Sequence, residues 1–577
     1  KSIYKIVDGT INEKIVEHIL GETIGVGITE YYKYSGVADI DYTEILLTAL
    51  DSQLFDNKDF VEHLVMRVNI DRFIKQIAKN LKINNLQSDF KIKKEILKKS
   101  TQKKKEVLIN ILQLDLNYFI KEVDKINITS EEIKPFSPVP VDKEDQLKLE
   151  YTIPKEFLSL HDYQKRVKNT IINKLLFEES NTRTLVHMPT GSGKTKTSME
   201  AIVDFIRTNL TDNKPSNIIW FAHTKELCEQ AYDSFKSIWQ YRGDFPVNTY
   251  KIFGNTSYDE VSNCVEKQVS VIFIGFQKFH SLLKSNDYHE LKEHVHTRTR
   301  LVVVDEAHKS LATTYEQAIN FVSQMPNCRL LGLTATPGRS NYVVGSNENK
   351  SLSQYFSQSQ ISIINDKLEK INDPLTYLQK QNVLATIEED PLDFAFDLKK
   401  FGYTKKQLEK ISKKDDGIGK KELDLLATDP HRNHLIVNKI QDHYEKQKSI
   451  LVFACSVAHC MILKHILNTV DVESDVVLGN TNDSKRVDVI KRFKANELKV
   501  IINFGVLTTG FDAPNLNTLV VARPTKSVVL YSQIVGRALR GERMGGNKKN
   551  TLITIKDNME GFPNPEFMFS YWKDFWN

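Results

Sequence analysis

A glycine-rich segment, Met188 to Thr195, combines residue types that could hold phosphate groups. Glycines let backbone N–H groups approach phosphate oxygens, and the start of a following helix adds a positive dipole. Lys194 would reach the β- and γ-phosphates of a nucleotide, and the Thr195 hydroxyl would bind Mg²⁺. The segment fits the pattern G-x-x-x-x-G-K-[ST] except at its first position, where Met188 stands. We therefore predict a nucleotide-binding loop formed by Thr190, Gly191, Ser192, Gly193, Lys194 and Thr195.

Two adjacent carboxylates, Asp305 and Glu306, follow an apolar run at 301–304. A buried strand of this kind carries both acids to the carboxyl edge of its sheet, where nucleotides bind. Asp305 would hold Mg²⁺, and Glu306 would orient and deprotonate an attacking water molecule. With the glycine-rich segment, the pair predicts a site that hydrolyses a nucleoside triphosphate.

The elements that must position these residues are strands alternating with helices, in two parts of the chain. In the first part, strands are predicted near 184–187, 218–222, 269–274, 301–304 and 330–333. In the second part, they are predicted near 450–453, 476–478, 500–503, 518–521 and 552–555. Runs this apolar are buried on both faces, as in a parallel sheet covered by helices. Only the first part carries a phosphate-binding loop.

Composition and charge exclude several classes of protein. The net charge of +5 on 577 residues is too small by itself to indicate a polyanion partner. Five cysteines without a C-x-x-C pair predict a reduced, cytoplasmic setting and no structural zinc. The sequence has no run near the roughly 20 apolar residues of a membrane span, so no membrane partner is expected.

Shifts in composition predict six segments. They are a mainly α-helical N-terminal accessory domain (1–126), a proline-rich linker (127–155), a first α/β domain (156–345), an inter-domain insertion (346–429), a second α/β domain (430–560) and an aromatic tail (561–577). The accessory domain has helical patterns near 70–81 and 108–123, separated by a lysine run that is either a phosphate-contacting patch or a solvated helix face. Gly21, Gly25 and Gly27 follow a helical pattern rather than a strand, so turns are predicted there instead of a second nucleotide site. The tail either closes its own domain or docks on a partner.

Taken in chain order from about 160 to 540, the motifs resemble those of superfamily 2 helicases and translocases. Leu160–Gln164 resembles the segment whose glutamine reads adenine, so the resemblance assigns that role to Gln164. The Asp-Glu-Ala-His sequence at 305–308 is similar to the family's second motif. Thr334-Ala335-Thr336-Pro337 resembles the motif that couples hydrolysis to domain movement, which implies that role for Thr334 and Thr336. The resemblance also implies ATP and Mg²⁺ as cofactors.

Four further segments resemble the motifs that contact nucleic acid, at 221–227, 274–277, 452–456 and 507–514. The contacts that the resemblance implies are Thr224, Lys225, Gln277, Ser456, Thr508 and Thr509. In the last of these segments, Gly510 and Asp512 would face the nucleotide. Such contacts reach backbone phosphates, so low sequence specificity is expected.

The segment Gln533–Arg540 resembles the family's sixth motif, whose arginines enter the ATP site from the opposite domain. Phosphoryl transfer needs positive charge on the γ-phosphate, and Arg537 and Arg540 could supply it through bidentate contacts. Their spacing predicts one helix face that also carries Gln533, which would reach the γ-phosphate or the water. Lys194, Glu306, Gln533, Arg537 and Arg540 are thus the expected catalytic residues.

The fold expected from these features is α/β, with two tandem RecA-like parallel-sheet domains and a helical accessory domain. The expected activity is ATP-dependent movement on duplex or single-stranded DNA. DNA is favoured because 334–337 and 507–514 resemble DNA translocases, including type I and type III restriction motor subunits. The alternatives are an RNA helicase and a nucleotide-gated DNA clamp that regulates a partner without unwinding. A nuclease or other effector subunit could dock on the accessory domain or the tail, in a phage-defence setting.

Overall fold

A computed structural model describes residues 11–50, 57–67, 96, 146–149, 159–177, 182–210, 215–254, 256, 258, 269–337, 347–394, 419–508, 511, 513–524 and 528–556. The predicted helices near 70–81 and 108–123, the lysine run and the aromatic tail lie outside these residues. The described chain forms two compact units. The smaller unit takes its described residues from Lys1–Val141, Leu423–Lys439 and Cys455–Val472, and the larger unit contains the rest.

The larger unit contains two β-sheets. The strands of the first sheet are β1 (Gln146–Leu149), β2 (Arg183–His187), β3 (Ser216–Ala222), β4 (Val247–Ile252), β5 (Val269–Gly275), β6 (Thr299–Asp305), β7 (Arg329–Thr334) and β8 (Gln360–Ile361). Those of the second sheet are β9 (Thr386–Glu389), β10 (Leu392–Asp393), β11 (Ser449–Phe453), β12 (Ser474–Val477), β13 (Val500–Asn503), β14 (Leu516–Val521) and β15 (Lys549–Lys556).

The first sheet has the strand order β1-β4-β5-β3-β6-β7-β2-β8, and only β1 is antiparallel to its neighbour. The second has the order β10-β15-β14-β11-β13-β12, with β9 also paired to β15, and all its described pairs are parallel. The predicted class, two parallel-sheet α/β domains, is confirmed, as are all ten predicted strands. β4 was missed because its polar residues Asn248, Thr249 and Lys251 hide the strand pattern.

Seventeen α-helices lie within the described residues. They are α1 (Glu13–Leu20), α2 (Glu22–Tyr34), α3 (Tyr42–Leu50), α4 (Lys58–Arg67), α5 (Asp162–Phe177), α6 (Lys194–Asn209), α7 (Lys225–Arg242), α8 (Phe276–Lys284), α9 (His289–Arg298), α10 (Thr313–Val322), α11 (Asn347–Tyr355), α12 (Pro374–Lys380), α13 (Lys420–Thr428), α14 (Pro430–Glu445), α15 (Val457–Thr469), α16 (Asp483–Lys494) and α17 (Val528–Val535). None of these helices is long and apolar enough to cross a membrane.

Apolar cores on both faces of the first sheet hold its carboxyl edge rigid. Successive residues of β6 alternate between the cores, with Leu301 and Val303 in one and Val302 and Val304 in the other. On the first of these faces, α6 buries Met199, Ile202, Phe205 and Ile206, the face predicted from the sequence. The helix that follows the glycine-rich loop is therefore fixed against the sheet.

The predicted insertion at 346–429 contributes strands to both sheets. β8 pairs with β2 of the first sheet. β9 and β10 pair with β15 of the second sheet. The chain thus crosses between the sheets within 362–385, through α12.

The smaller unit packs N-terminal helices on α15. The Tyr32 hydroxyl of α2 lies 3.2 Å from His465 Nε2 of α15. The prediction of turns was wrong for Gly25 and Gly27, which both lie inside α2, whereas Gly21 does separate α1 from α2. A Cβ at Gly27 would collide with Ile462 Cδ1, so close helix packing, not a turn, requires this glycine.

Candidate nucleotide-binding site

The strand order of the first sheet gathers most of the predicted site residues along one edge. β5, β3, β6, β7 and β2 are successive neighbours, and all run parallel. Their carboxyl ends carry, in this order, Gln277, Thr224, Asp305, Thr334 and the glycine-rich loop. Predicted nucleic-acid contacts therefore lie on one half of the edge and nucleotide contacts on the other, with the two carboxylates between them.

The loop from Pro189 to Gly193 has the backbone shape that its glycines allow. Gly191 and Gly193 have φ values of +81° and +77°, in the left-handed region that side chains disfavour. Gly193 then caps the start of α6. Met188, the departure from the motif, is fully buried and continues the strand pairing through a 3.2 Å bond from its N–H to the Thr334 carbonyl. The missing glycine is therefore accommodated as a strand residue.

Two side chains of α5 form hydrogen bonds with the backbone of the loop. The Tyr163 hydroxyl donates to the Ser192 carbonyl at 2.7 Å, and Gln164 Nε2 donates to the same oxygen at 3.1 Å. Gln164 Oε1 accepts from the backbone N–H of His161 at 2.8 Å. The side chain predicted to read adenine is thus buried and held against the loop.

Lys194 and Asp305 face each other across the loop, with Lys194 Nζ 3.7 Å from Asp305 Oδ1. Burial raises the pKa of Asp305, against the opposing effect of Lys194. Burial also acts to raise the pKa of Glu306, but Lys194 and neighbouring positive charges outweigh it and lower that pKa. The two adjacent carboxylates therefore have different electrostatic environments, and Glu306 is the more readily ionised.

Glu306 adopts a backbone conformation that is unusual for its residue type. Its φ of +52° lies in the left-handed region, and its N–H bonds Asp305 Oδ1 at 2.9 Å. Residues Ala307–Lys309 follow as a 3₁₀ turn. Such strain at a non-glycine residue is typical of functional sites.

His308 links the carboxylates to the segment after β7. Its Nδ1 lies 3.3 Å from Glu306 Oε2, 3.2 Å from Thr334 Oγ1 and 3.4 Å from Thr336 Oγ1. Burial lowers the pKa of His308 to about 3, so its imidazole is neutral at pH 7. A neutral imidazole has one N–H, and that N–H can fully serve only one of these acceptors. The contact set can therefore exist in more than one hydrogen-bonded arrangement.

The arginines predicted from the second sheet reach the same site. Gly536 touches the glycine-rich loop so closely that a Cβ there would lie 2.6 Å from Thr190 Cβ. Arg537 Nη1 donates to the Phe511 carbonyl at 2.5 Å, and its Nε donates to the Gln533 carbonyl at 3.3 Å. A second contact between the sheets joins Arg486 of α16 to Glu226 of α7.

The prediction that one helix face carries Gln533, Arg537 and Arg540 was wrong. α17 ends at Val535, and Gly536–Ala538 form a 3₁₀ turn. Beyond it, Arg540 forms a β-bridge with Leu384, and the Ala385 N–H bonds the Leu539 carbonyl at 2.8 Å. These backbone bonds replace helical ones, so tertiary pairing with the inter-sheet segment ends the helix.

A cleft of about 460 Å³ joins these elements, within the size range of small-molecule sites. The described residues that line it are Pro189, Thr190, Gly191, Gly193, Lys194, Thr195, Lys196, Leu227, Gln230, Ser234, Asp305, Glu306, Lys494, Phe511, Ala513, Gly536, Arg537, Arg540 and Met544. Gln164, Ser192 and Gln533 are buried and do not belong to that wall. Gly510 and Asp512 lie outside the described residues, as does Thr509.

The residues predicted to contact nucleic acid differ in the bonds that their side chains form within the protein and in their exposure. Thr224 caps α7 by accepting from the Leu227 N–H at 3.3 Å, and Ser456 caps α15 by accepting from the His459 N–H at 3.1 Å. Gln277 is exposed at the start of α8. Lys225 begins α7, and Thr508 is half-buried after β13.

Sequence reasoning gave no role to His308, Gly536 or Met544. His308 could have been found as the last residue of the Asp-Glu-Ala-His motif, next to both acids. Nothing in the sequence indicates that Gly536 meets Thr190 or that Met544 reaches the loop, because those contacts join segments about 350 residues apart.

Comparisons with known proteins identify two matched regions of the chain. The family profile described as type III restriction enzyme, res subunit, matches residues 157–339. The profile described as helicase conserved C-terminal domain matches residues 432–542. Together they span about half of the chain. The chain belongs to superfamily 2 of helicases and translocases.

Similar proteins come from several kinds of organism. IRC3 of Saccharomyces cerevisiae, whose name classes it among ATP-dependent helicases, is 25% identical over 66% of this chain and 49% of its own length. A 51.5 kDa protein of a Lactococcus phage is 24% identical over 68% of this chain and 69% of its own length. The EcoAI type I restriction endonuclease subunit of Escherichia coli is 22% identical over 69% of this chain and 46% of its own length. The chain thus spans about half the length of the yeast relative.

Among solved structures, the type ISP restriction-modification enzyme LlaBIII bound to DNA has a TM-score of 0.48. It is 15% identical, over 74% of this chain and 30% of its own. Dbp5 of S. cerevisiae bound to RNA has a TM-score of 0.44 at 15% identity, over 72% of this chain and 92% of its own.

Proposed function

We propose that the protein is an ATP-dependent DNA helicase or translocase. The observation that carries this proposal is the single cleft in which Lys194, Asp305 and Glu306 of the first sheet face Arg537 and Arg540 of the second. Hydrolysis at such a site changes how tightly the two sheets are held together. A protein that grips nucleic acid with both sheets can then step along it.

In the hydrolytic step, the residues of the first sheet and those of the second sheet have different roles. Backbone N–H groups of the loop and Lys194 bind the phosphates, and Glu306 orients the attacking water and accepts its proton. Arg537 and Arg540 stabilise the charge that builds on the γ-phosphate in the transition state. Gln533 reaches that phosphate or the water only if its buried side chain turns towards the cleft.

The donor set of the first sheet fits Mg²⁺. The Asp305 carboxylate and the Thr195 hydroxyl are hard oxygen donors on the same cleft wall, and one or two protein oxygens are what Mg²⁺ takes at phosphate sites. Among the described residues, no group of three or more His, Cys, Asp or Glu side chains is arranged so that it could hold a metal ion. Bound Mg²⁺ would supply positive charge to the β- and γ-phosphates.

Coupling between hydrolysis and movement would pass through His308. Its single N–H can bond an acceptor on Glu306, Thr334 or Thr336, but it can fully serve only one of them at a time. Loss of the γ-phosphate changes what Glu306 binds, and that change alters the acceptor left for His308. The segment after β7 thereby senses the state of the nucleotide.

Replacing Thr334 with valine tests this coupling. The variant keeps the shape of the side chain and removes its hydroxyl, so we expect ATP hydrolysis within about fivefold of wild type but strand displacement or translocation lowered at least about tenfold. Thr299→Val is the matched control, because Thr299 is equally buried at the opposite end of β6. Parallel loss of both activities, or of neither, would contradict the assignment.

The nucleic-acid track is proposed to run over Thr224, Lys225, Gln277 and Thr508, which follow strands β3, β5 and β13 of the larger unit. Ser456 and Thr509 are proposed as further contacts on the resemblance of their segments alone. DNA is favoured over RNA because the matching family profile and the Escherichia coli relative are restriction-enzyme subunits. A nuclease or other effector subunit docking on the accessory domain, in a phage-defence setting, extends the same analogy. The division of the chain into the six segments stated above remains part of the proposal.

The substrate is tested by ATP hydrolysis with duplex DNA, single-stranded DNA or RNA, each with Mg²⁺ and with a chelator. We expect stimulation by DNA that Mg²⁺ removal abolishes. Lys194→Ala should lose about 10²-fold or more of the stimulated rate, since it removes a phosphate-binding charge. Stimulation by RNA alone would instead favour the RNA helicase, and DNA stimulation without strand displacement or movement would favour the nucleotide-gated clamp.

A further inference from the structure

A turn of the second sheet, Gly541–Gly545, reaches the glycine-rich loop of the first. The turn is tied to the inter-sheet segment by bonds from the Gly541 N–H to the Val383 carbonyl and from the Arg543 N–H to the Asn382 carbonyl, both at 3.0 Å. It closes on itself through a bond from the Met544 N–H to the Gly541 carbonyl, also 3.0 Å. Two independent sets of bonds therefore fix where Met544 lies.

Met544 points its apolar side chain at the loop. Its Cε lies 3.4 Å from the position that a Cβ of Gly193 would occupy. Gln164 Nε2 lies even closer to the same position, so both side chains lie on the side of Gly193 to which a Cβ would point. Met544 is half-buried, packs against the core that contains Leu539, and also belongs to the cleft wall.

The same turn borders the residues before α5. Burial lowers the pKa of His161, and the positive charge of Arg543 lowers it further. The His161 ring stacks on Tyr163 with 6.1 Å between the ring centroids. Near Gly193 the loop is thus bonded to Tyr163 and Gln164 of α5, while the turn at 541–545 adds Met544 to the cleft wall.

We propose that Met544 packs against the base of the bound nucleotide. Its thioether cannot bind phosphate, whereas a flexible, polarizable methionine makes favourable contacts with an aromatic ring. The phosphate end is set by Lys194 and Asp305, so the base must leave the loop on a side away from these charges. Met544 offers an apolar surface on the cleft wall beside the loop. Base recognition then uses both sheets, and separation of the sheets weakens the hold on the whole nucleotide.

This inference rests on the proposed ATP hydrolysis, and the choice of ligands separates the two. For the full chain, dissociation constants are measured for ATP and for inorganic tripolyphosphate, which has the phosphates but no base. Met544→Ala should weaken ATP binding by about fivefold and leave tripolyphosphate binding unchanged. Met544→Leu, which keeps the volume and apolar character, should recover most of the loss. Met325→Ala is the control, since Met325 is a half-buried methionine outside the cleft.

Each outcome of these binding measurements either supports or overturns the contact between Met544 and the base. Selective weakening of ATP supports the base contact. Equal weakening of both ligands overturns it, because Met544 would then act only by supporting the loop. Unchanged ATP binding in Met544→Ala also overturns it, as does wild-type protein that binds tripolyphosphate as tightly as ATP. If wild-type protein binds neither ligand, the proposed function fails as well.

Discussion

Replacing Arg537 with alanine should lower the rate of ATP hydrolysis by about 10³-fold or more. The guanidinium lies on the wall of the cleft that holds Lys194 and Glu306, but it comes from the second sheet. Charge on the γ-phosphate is largest in the transition state, so loss of Arg537 raises the barrier more than it weakens ATP binding. The measurement is the steady-state rate with saturating ATP and nucleic acid, beside a dissociation constant for ATP.

Two variants make this result interpretable. Arg537→Lys keeps the charge but not the planar fork, and should recover only part of the rate. Arg492→Ala removes an arginine of α16 that pairs with Glu473 at 2.5 Å, outside the cleft, and should hydrolyse ATP normally. An Arg537→Ala protein with full turnover would refute a site shared by the two sheets.

The Glu306→Gln variant should bind ATP but hydrolyse it about 10²- to 10⁴-fold more slowly, because an amide cannot accept the proton of the attacking water. Glutamine has nearly the same shape, and its Oε1 can still accept from His308, so the left-handed backbone at this position should persist. ATP-bound protein should accumulate and hold nucleic acid more tightly than wild type does. Single-turnover hydrolysis and equilibrium binding in the presence of ATP measure the two effects.

The control for this variant is Glu290→Gln, an exposed glutamate at the start of α9. It changes the net charge by the same amount and should leave turnover intact. If Glu306→Gln retained a rate within about threefold of wild type, Glu306 would not be the base. The strain at its backbone would then need another explanation.

The sequence predicted well wherever local patterns decide structure. The glycine-rich loop, the helix after it and the strand ending in Asp305 are each encoded within about ten residues. Apolar runs long enough to be buried on both faces marked the central strands. Strand β4 and the short strands β8, β9 and β10 carry too little apolar pattern to be seen in this way.

Local pattern failed where the tertiary structure supplies stronger bonds. Spacing alone placed Arg537 and Arg540 on one helix, but backbone pairing of Leu384 with Arg540 ends that helix early. Gly27 read as a turn because glycine is rare in helices, yet its missing side chain lets α2 approach Ile462. In both cases contacts between distant segments outweigh local preference.

The amino-acid sequence by itself determined the family and the two parallel sheets, and it supplied the candidate phosphate-binding and acidic residues. Only the tertiary structure decided that Arg537 and Met544 share a cleft with Lys194. It also decided that His308 contacts both Glu306 and Thr334, and that Gln164 bonds the backbone of the loop. The physical reason is the distance in sequence between the residues whose contacts decide each feature. Strand and loop patterns are set by neighbours in sequence, whereas a cleft between two sheets depends on packing between segments hundreds of residues apart, which periodicity and spacing do not encode.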